Sequence, residues 1–233
     1  IVQALSSIEK SWTKTNRELP KLDVPELADS PAVYFYDVPG AKQSTFHIAQ
    51  PAIKGSHPDF YRAHVMNYIL GGGSFASRLT QELREGKGYT YGIRSRFESS
   101  SHSSLFTINT GVRSNVTLEA LELIKEIVER YGDTFTLDDL ATTQSYFLKS
   151  NARGFETLNA KLNILENIAT LGLPIDYVQQ RAKQIEALTV DDVKLLAKQH
   201  IKSNSLVYVV VGDAETQYER LVKSGIGKVV RLN

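Results

Sequence analysis

The stretch from Ile69 to Phe97 constrains the fold more than any other part of the chain. Three consecutive glycines near its start predict the end of one helix. Phe75, Leu79 and Leu83 then recur at helical spacing, and Ser74 before them has the residue type of a helix N-cap. After two further glycines the sequence alternates as strands do. The predicted order is therefore helix, glycine turn, second helix, glycine turn and strand.

Arg84 and Tyr91 are the candidate functional residues of this segment. Arg84 falls in the last turn of the second predicted helix and Tyr91 at the start of the strand. The corner between helix and strand can therefore bring both side chains together. A guanidinium and a phenol both donate hydrogen bonds, which suits a carbonyl oxygen that gains negative charge. A purely structural explanation is also open, because cations are favoured at helix C-termini and tyrosines pack well in strands. Strand alternation predicts that Tyr91 shares a face with Ile93 and Phe97.

Composition excludes several classes of function. A net charge of +1, from 27 basic and 26 acidic residues, argues against charge-driven binding to nucleic acid or to a membrane surface. No run of residues is long and apolar enough to span a membrane. The chain has no cysteine, which excludes disulfides, thiol catalysis and cysteine–zinc sites.

The histidines do not have the spacing of a catalytic zinc site. His57 and His64 stand at the ends of H-P-D-F-Y-R-A-H, with no glutamate between them, and neither H-x-x-E-H nor H-E-x-x-H occurs. A free-standing metalloenzyme would need further ligands from His47, His102 or His200, whose spacing gives no support. We therefore predict no metal ligand in this chain.

The remaining sequence predicts one α+β domain. Apolar runs predict strands early and late in the chain, and helical periodicity fills the region between them. This order predicts a two-layer domain with a mixed, largely antiparallel sheet covered on one face by helices. Residues 1–31 are predicted to be a helix and linker from a preceding domain, and residues 32–233 to be the single α+β domain. Because the chain starts inside an amphipathic run, we expect it to be a piece of a longer polypeptide.

These motifs resemble the second, non-zinc domain of the pitrilysin/insulinase family, the inverted zinc metallopeptidases. The family signature S-R-L…L-R-E-x-x-G-x-x-Y fits from Ser77 to Tyr91, and G-L-P-x-D-Y, L-T-x-D-D-V and V-V-V-G-D follow in the family's order. The resemblance implies the two-layer fold of the zinc processing peptidases. It also implies that Arg84 and Tyr91, the matching positions, bind the substrate backbone and polarise the scissile carbonyl across a cleft from the zinc.

The resemblance implies that this chain is the substrate-binding half of a metalloendopeptidase. Its partners would be a peptide substrate and an H-x-x-E-H domain or subunit that carries the zinc, and the chain alone is predicted to be inactive. The alternative is a scaffold or assembly subunit that kept the fold and lost the chemistry. The compartment is open, and a periplasmic location is a hypothesis taken only from the resemblance to bacterial members.

Overall fold

One six-stranded sheet organises the fold. The computed structural model describes residues 2–12, 26–99 and 103–233, so His102 and most of the predicted linker lie outside the described residues. The strands are β1 (Ala32–Asp37), β2 (Gln43–Pro51), β3 (Thr90–Ser99), β4 (Ser104–Arg113), β5 (Val207–Gly212) and β6 (Lys228–Arg231). They lie side by side in the order β3-β4-β2-β5-β1-β6.

The strand pairing is mixed and mostly antiparallel. β2 pairs antiparallel with β4 and with β5, and β3 pairs antiparallel with β4. β1 pairs parallel with β5 and with β6. The predicted α+β class, with a mixed and largely antiparallel sheet, is confirmed.

Among the described residues, helices pack on one face of the sheet. The helices are α1 (Val2–Ser11), α2 (Phe60–Asn67), α3 (Arg78–Thr80), α4 (Thr117–Thr134), α5 (Leu137–Asn151), α6 (Leu158–Leu171), α7 (Tyr177–Glu186), α8 (Val190–His200) and α9 (Ala214–Ser224). The burial of β1 shows the asymmetry, because Val33 and Phe35 are buried whereas Tyr34 and Tyr36 are exposed. In the part of the chain that the structure describes, no helix is long and apolar enough to cross a membrane.

The core lies between the covered face and this helical layer. Its largest fully buried side chains come from the sheet and from the helices on it: Phe35, Phe46, Ile48, Met66, Leu70, Leu79, Leu83, Ile93, Phe106, Ile108, Tyr131 and Tyr208. Tyr131, on α4, donates its hydroxyl hydrogen to the carbonyl oxygen of Met66 over 2.5 Å. Its buried polar atom is therefore paired, and the bond ties α4 to α2.

The segment after the three glycines is not the single helix that the spacing predicts. It consists of a 3₁₀ turn at Ser74–Ala76, the short α3, and a π-helical turn at Gln81–Gly86. Ser77 rather than Ser74 is the N-cap residue of α3, and its hydroxyl donates to the carbonyl oxygen of Ser74 over 2.8 Å. The N-cap prediction was therefore wrong by one turn.

Helix α3 begins later than predicted because the backbone at Gly71 lies close to the backbone of β3. A Cβ placed on Gly71 would lie 2.4 Å from Ser95 Oγ and 2.7 Å from the Ser95 backbone nitrogen, on β3. The end of the preceding helix therefore rests against the edge strand. From there the chain turns through Ser74, which has a φ of 52°, before α3 begins.

Candidate substrate-binding site at the Arg84–Tyr91 corner

A tight turn brings Arg84 and Tyr91 together. Arg84 lies in the π-helical turn Gln81–Gly86, and Tyr91 is the second residue of β3. Gly88 has a φ of 59°, a conformation that glycine adopts without strain. Its backbone nitrogen donates to the Arg84 carbonyl oxygen over 3.0 Å, and the Tyr89 nitrogen donates to the Leu83 carbonyl oxygen over 2.8 Å. The turn is thus closed by backbone hydrogen bonds.

The Arg84 side chain is held by aromatic rings. Its guanidinium carbon lies 4.9 Å from the centre of the Tyr91 ring and 4.8 Å from the centre of the Phe75 ring. Both distances fall in the range of cation–π attraction. Arg84 Nε lies 3.3 Å from a carboxylate oxygen of Glu85. The guanidinium is therefore positioned without being buried.

A β-bulge turns Tyr91 outward. Thr90 stands opposite Val112 on β4, whereas Ile93 stands opposite Thr110, so β3 has one residue more than β4 between these points. Tyr91 is 89% exposed, while Ile93 is buried. The prediction that Tyr91 shares a face with Ile93 and Phe97 was therefore wrong, because strict alternation fails across a bulge.

Two threonine hydroxyls hold this bulge. Thr90 Oγ1 accepts from the Gly92 backbone nitrogen over 3.0 Å and lies 2.7 Å from the Gly111 carbonyl oxygen and 2.8 Å from Thr110 Oγ1. Thr110 Oγ1 in turn donates to the Gly92 carbonyl oxygen over 2.9 Å. The irregular backbone is thereby paired, which favours a fixed orientation of Tyr91.

The open face of the sheet continues from this corner as a groove of about 520 Å³, lined among others by Arg84, Tyr91, Arg94, Arg96 and Asn109. Three of these side chains are arginines, so this end of the face is electropositive. Across the sheet, the row of open-face residues that begins at Arg94 and Asn109 runs on through His47, the half-buried Val209 and Tyr34. The surface thus changes from cationic to apolar along one line.

The sheet carries no side chain at two positions beside Tyr91. Gly92 is in the bulge and Gly111 is in β4, and a Cβ added to either would meet no atom within 4 Å. Another backbone can therefore approach the sheet closely at this point.

Sequence reasoning missed two residues of this site. Phe75 was assigned to a buried helical stripe, but it is 54% exposed and contacts Arg84. Ser74 also lines the groove and has the left-handed φ of 52°, the only positive value among non-glycine residues of the described chain. Such a conformation costs free energy and concentrates at functional sites. Helical spacing in the sequence does not predict the exposure of Phe75 or the left-handed backbone of Ser74.

The described histidines lie in different surroundings. His47, on the open face, is hydrogen-bonded to Asn109. His64 contacts the rings of Tyr61 and Phe147, and desolvation together with Arg181 lowers the pKa of His64. No group of three or more histidine, aspartate or glutamate side chains in the described residues could hold a metal ion.

His57 and His200 come nearest to a pair, with ring centres 6.0 Å apart. Among the described residues, one carboxylate forms an ion pair with either ring: Asp59 Oδ2 lies 3.5 Å from His200 Nε2. Asp59 is also in an ion pair with Arg62 at 3.2 Å, and its backbone nitrogen donates to His57 Nδ1. These contacts do not fit a zinc ion.

The mixed sheet with helices packed on one face defines a two-layer α+β domain. The chain belongs to the peptidase M16 family: the family profile described as "Peptidase M16 inactive domain" matches residues 1–147. The resemblance inferred from the sequence motifs is therefore confirmed.

Two curated relatives give the same assignment. The chain is 30% identical over 165 residues to the "Non-peptidase homolog YmxG" of Helicobacter pylori, covering 69% of this chain and 37% of the relative. It is 32% identical over 108 residues to the "Uncharacterized zinc protease YmxG" of Bacillus subtilis, covering 46% of this chain and 26% of the relative. The chain therefore corresponds to well under half the length of these relatives.

Solved structures share the fold. A peptidase M16 inactive domain from Pseudomonas fluorescens superposes with a TM-score of 0.78 at 26% identity, over 91% of this chain and 50% of that chain. A protease from Helicobacter pylori superposes with a TM-score of 0.72 at 16% identity, over 90% of this chain and 52% of that chain. The second likeness supports the fold alone.

Proposed function

We propose that this chain is the zinc-free, peptide-binding part of an M16 peptidase assembly, in which Arg84 and Tyr91 bind the backbone of an extended peptide. The observation that carries the proposal is the stacking of Arg84 against Tyr91 at the edge of an open sheet face. The ring holds the guanidinium, and the bulge presents the phenol to solvent. Both donors are thus available before a peptide arrives.

The hydrogen-bond donors of Arg84 and Tyr91 that have no partner in the described part of the chain can bind a peptide carbonyl. Arg84 uses Nε towards Glu85, and its two terminal nitrogens donate no hydrogen bond within the described residues. An arginine stays protonated at every physiological pH, so it can stabilise an oxygen that becomes negative. The Tyr91 hydroxyl can donate a second hydrogen bond to the same carbonyl or to the next one. Neither residue supplies a nucleophile or a base, which a zinc-bearing H-x-x-E-H domain or subunit would have to contribute.

The glycines at 92 and 111 support the same interpretation. They leave room for a peptide backbone beside Tyr91, and the electropositive groove suits carbonyl oxygens and carboxylates. Recognition of the main chain rather than of particular side chains is expected to tolerate many peptide sequences.

The test is peptide turnover by the complete enzyme, assembled with its zinc-bearing domain or subunit. We expect Arg84→Ala and Tyr91→Phe to lower kcat/KM without changing the unfolding midpoint of this domain. Tyr91→Phe keeps the ring against Arg84 and removes only the hydroxyl, so it isolates the hydrogen bond. Arg130→Ala is the matched control, because Arg130 is exposed and pairs only with Glu126 among the described residues. Turnover that is equal in all four proteins would contradict the assigned roles.

A scaffold function is the second candidate, and one observation favours it. The Helicobacter pylori relative at 30% identity is described as a non-peptidase homologue. If this chain has the same character, the assembled protein will not cleave unfolded peptides even when the wild-type Arg84 and Tyr91 are present. Direct binding of a labelled unfolded peptide separates the two functions. If the chain is a scaffold without peptide recognition, the wild type and the Arg84→Ala variant will bind the peptide equally.

A further inference from the structure

Helix α6 presents an apolar stripe to solvent. Leu158 is 85% exposed, Leu162 60% and Leu165 62%. Ala169 is exposed on the same side one turn later. An exposed contiguous apolar stripe of this kind marks an interaction surface.

The stripe is separate from the face that packs on the domain. Ala160, Ile164 and Ile168 are half-buried and lie on the opposite side of the helix. The helix is well defined at both ends, since the Thr157 side chain caps its N-terminus and Gly172 ends it with a φ of 64°. α6 is therefore a complete helix with two apolar faces, of which one has no cover within the described residues.

The spacing of the exposed face is that of a coiled-coil seam. Leu158, Leu162, Leu165 and Ala169 follow one another by steps of four, three and four residues. Alternating steps of three and four keep the apolar residues on one line facing a partner helix, as in the a and d positions of a heptad.

The charges beside the seam indicate the partner. With Leu158 and Leu165 at d positions, Lys161 takes a g position and Glu166 the e position five residues later. In a parallel pair of identical helices, each g residue faces the e residue five positions later on the other helix. Lys161 of each copy would then face Glu166 of the other. Both side chains are exposed, so both charges are available to a partner.

We propose that α6 is a self-association surface, which pairs in parallel with α6 of a second copy of this chain about a two-fold axis. The leucines form the buried seam, and two symmetric Lys161–Glu166 ion pairs flank it. An antiparallel pair would not form these ion pairs. Each g residue then faces a g residue of the other helix, so Lys161 would lie beside Ile168 and not beside Glu166. The surface is distinct from the Arg84–Tyr91 groove, so the inference does not depend on the proposed function.

The interface is small. Fourteen residues in α6 make a helix about 21 Å long at 1.5 Å per residue. Such a contact falls at the low end of specific interfaces, and we therefore expect a dimer that dissociates on dilution in the micromolar range.

The first experiment measures the mass of the whole chain by sedimentation velocity over a wide range of concentration. We expect a monomer–dimer equilibrium in the wild type. Leu162→Asp, which places a charge in the seam, should raise the dissociation constant by about tenfold or more. Leu137→Asp is the control, because Leu137 is 75% exposed on α5 and away from the seam. A wild type that stays monomeric at every concentration would overturn the proposal.

Charge exchange tests the orientation. Lys161→Glu and Glu166→Lys should each weaken the dimer by placing like charges opposite one another, and the double exchange should restore wild-type affinity. All of these positions are exposed, so circular dichroism and unfolding midpoints should remain those of the wild type. A dimer that is insensitive to both single exchanges would contradict the parallel arrangement.

Cross-linking gives a second measure that does not depend on affinity. The chain has no cysteine, so Leu165→Cys introduces a unique thiol. In a parallel seam the two copies of residue 165 face each other at one height, within reach of a disulfide under a mild oxidant. Leu137→Cys should not cross-link under the same conditions. Equal cross-linking of both variants would show random collision and contradict the seam.

Discussion

The guanidinium carbon of Arg84 lies 4.9 Å from the centre of the Tyr91 ring, and Phe75 contacts the same guanidinium at 4.8 Å. The three side chains come from the 3₁₀ turn, the π-helical turn and the edge strand. Arg84 is therefore positioned by rings on two other segments, and it keeps its access to solvent. Changes in those rings should alter peptide binding more than they alter stability.

Phe75→Ala tests this positioning. Loss of one cation–π contact at an exposed site is worth about 0.5–1 kcal/mol, so peptide affinity should fall by about two- to fivefold. Stability should change little, because Phe75 is more than half exposed. Fluorescence anisotropy of a labelled unfolded peptide measures the first quantity and urea unfolding the second. Leu137→Ala serves as the exposed control, and an affinity equal to wild type would count against a positioning role for Phe75.

Gly111→Val tests the open space on the sheet beside Tyr91. A Cβ at this position meets no atom within 4 Å, and valine is favoured in strands, so the fold should retain or slightly gain stability. The added isopropyl group would occupy the space beside Tyr91 that we assign to the peptide backbone. Peptide affinity should fall by about tenfold or more. The same anisotropy assay decides the matter, and unchanged binding would place the peptide elsewhere on the sheet.

Gly71→Ala should destabilise the domain. The new methyl group would lie 2.4 Å from Ser95 Oγ and 2.7 Å from the Ser95 backbone nitrogen, and the backbone cannot yield as a side chain can. Overpacking of this kind costs about 1–3 kcal/mol of unfolding free energy. Gly154→Ala is the matched control, since a Cβ there meets nothing within 4 Å. Urea unfolding should separate the two variants, and a Gly71 variant as stable as its control would refute the close approach.

His200 should make stability depend on pH. Burial lowers the pKa of His200 below its ordinary value of 6.5, Asp59 opposes this shift, and His57 and Lys202 add to it. The unfolded chain then binds the proton more readily than the folded chain. The stabilising contribution is complete above pH 6.5 and declines as the pH falls through that value towards the lower, folded pKa.

Urea unfolding at about pH 7.5 and about pH 5.5 measures this effect. The free energy of unfolding should be lower at the acidic pH, and His200→Gln should reduce the difference. The pKa of His64 is lowered as well, so part of the difference should remain in that variant. Equal pH dependence in His200→Gln and wild type would assign the effect to other groups.

The division of the chain at residue 31, the zinc-bearing partner and the roles of Arg84 and Tyr91 remain predictions. The family and the α+β fold were predicted from the sequence and are confirmed. The spacing of Thr189 and Asp192 in the sequence is that of a capping box, and both hydrogen bonds of such a box are present. Signals of this kind lie within a few residues of one another, which is why a sequence alone can carry them.

The sequence is sufficient to predict that Arg84 and Tyr91 lie on either side of one turn, because their separation is short. It does not predict that Tyr91 faces outward, because the bulge depends on Thr110, which stands on another strand. The place of β2 between β4 and β5 and the exposure of the α6 seam have the same origin. Each depends on which distant segments pack together, and local periodicity contains no record of those pairings.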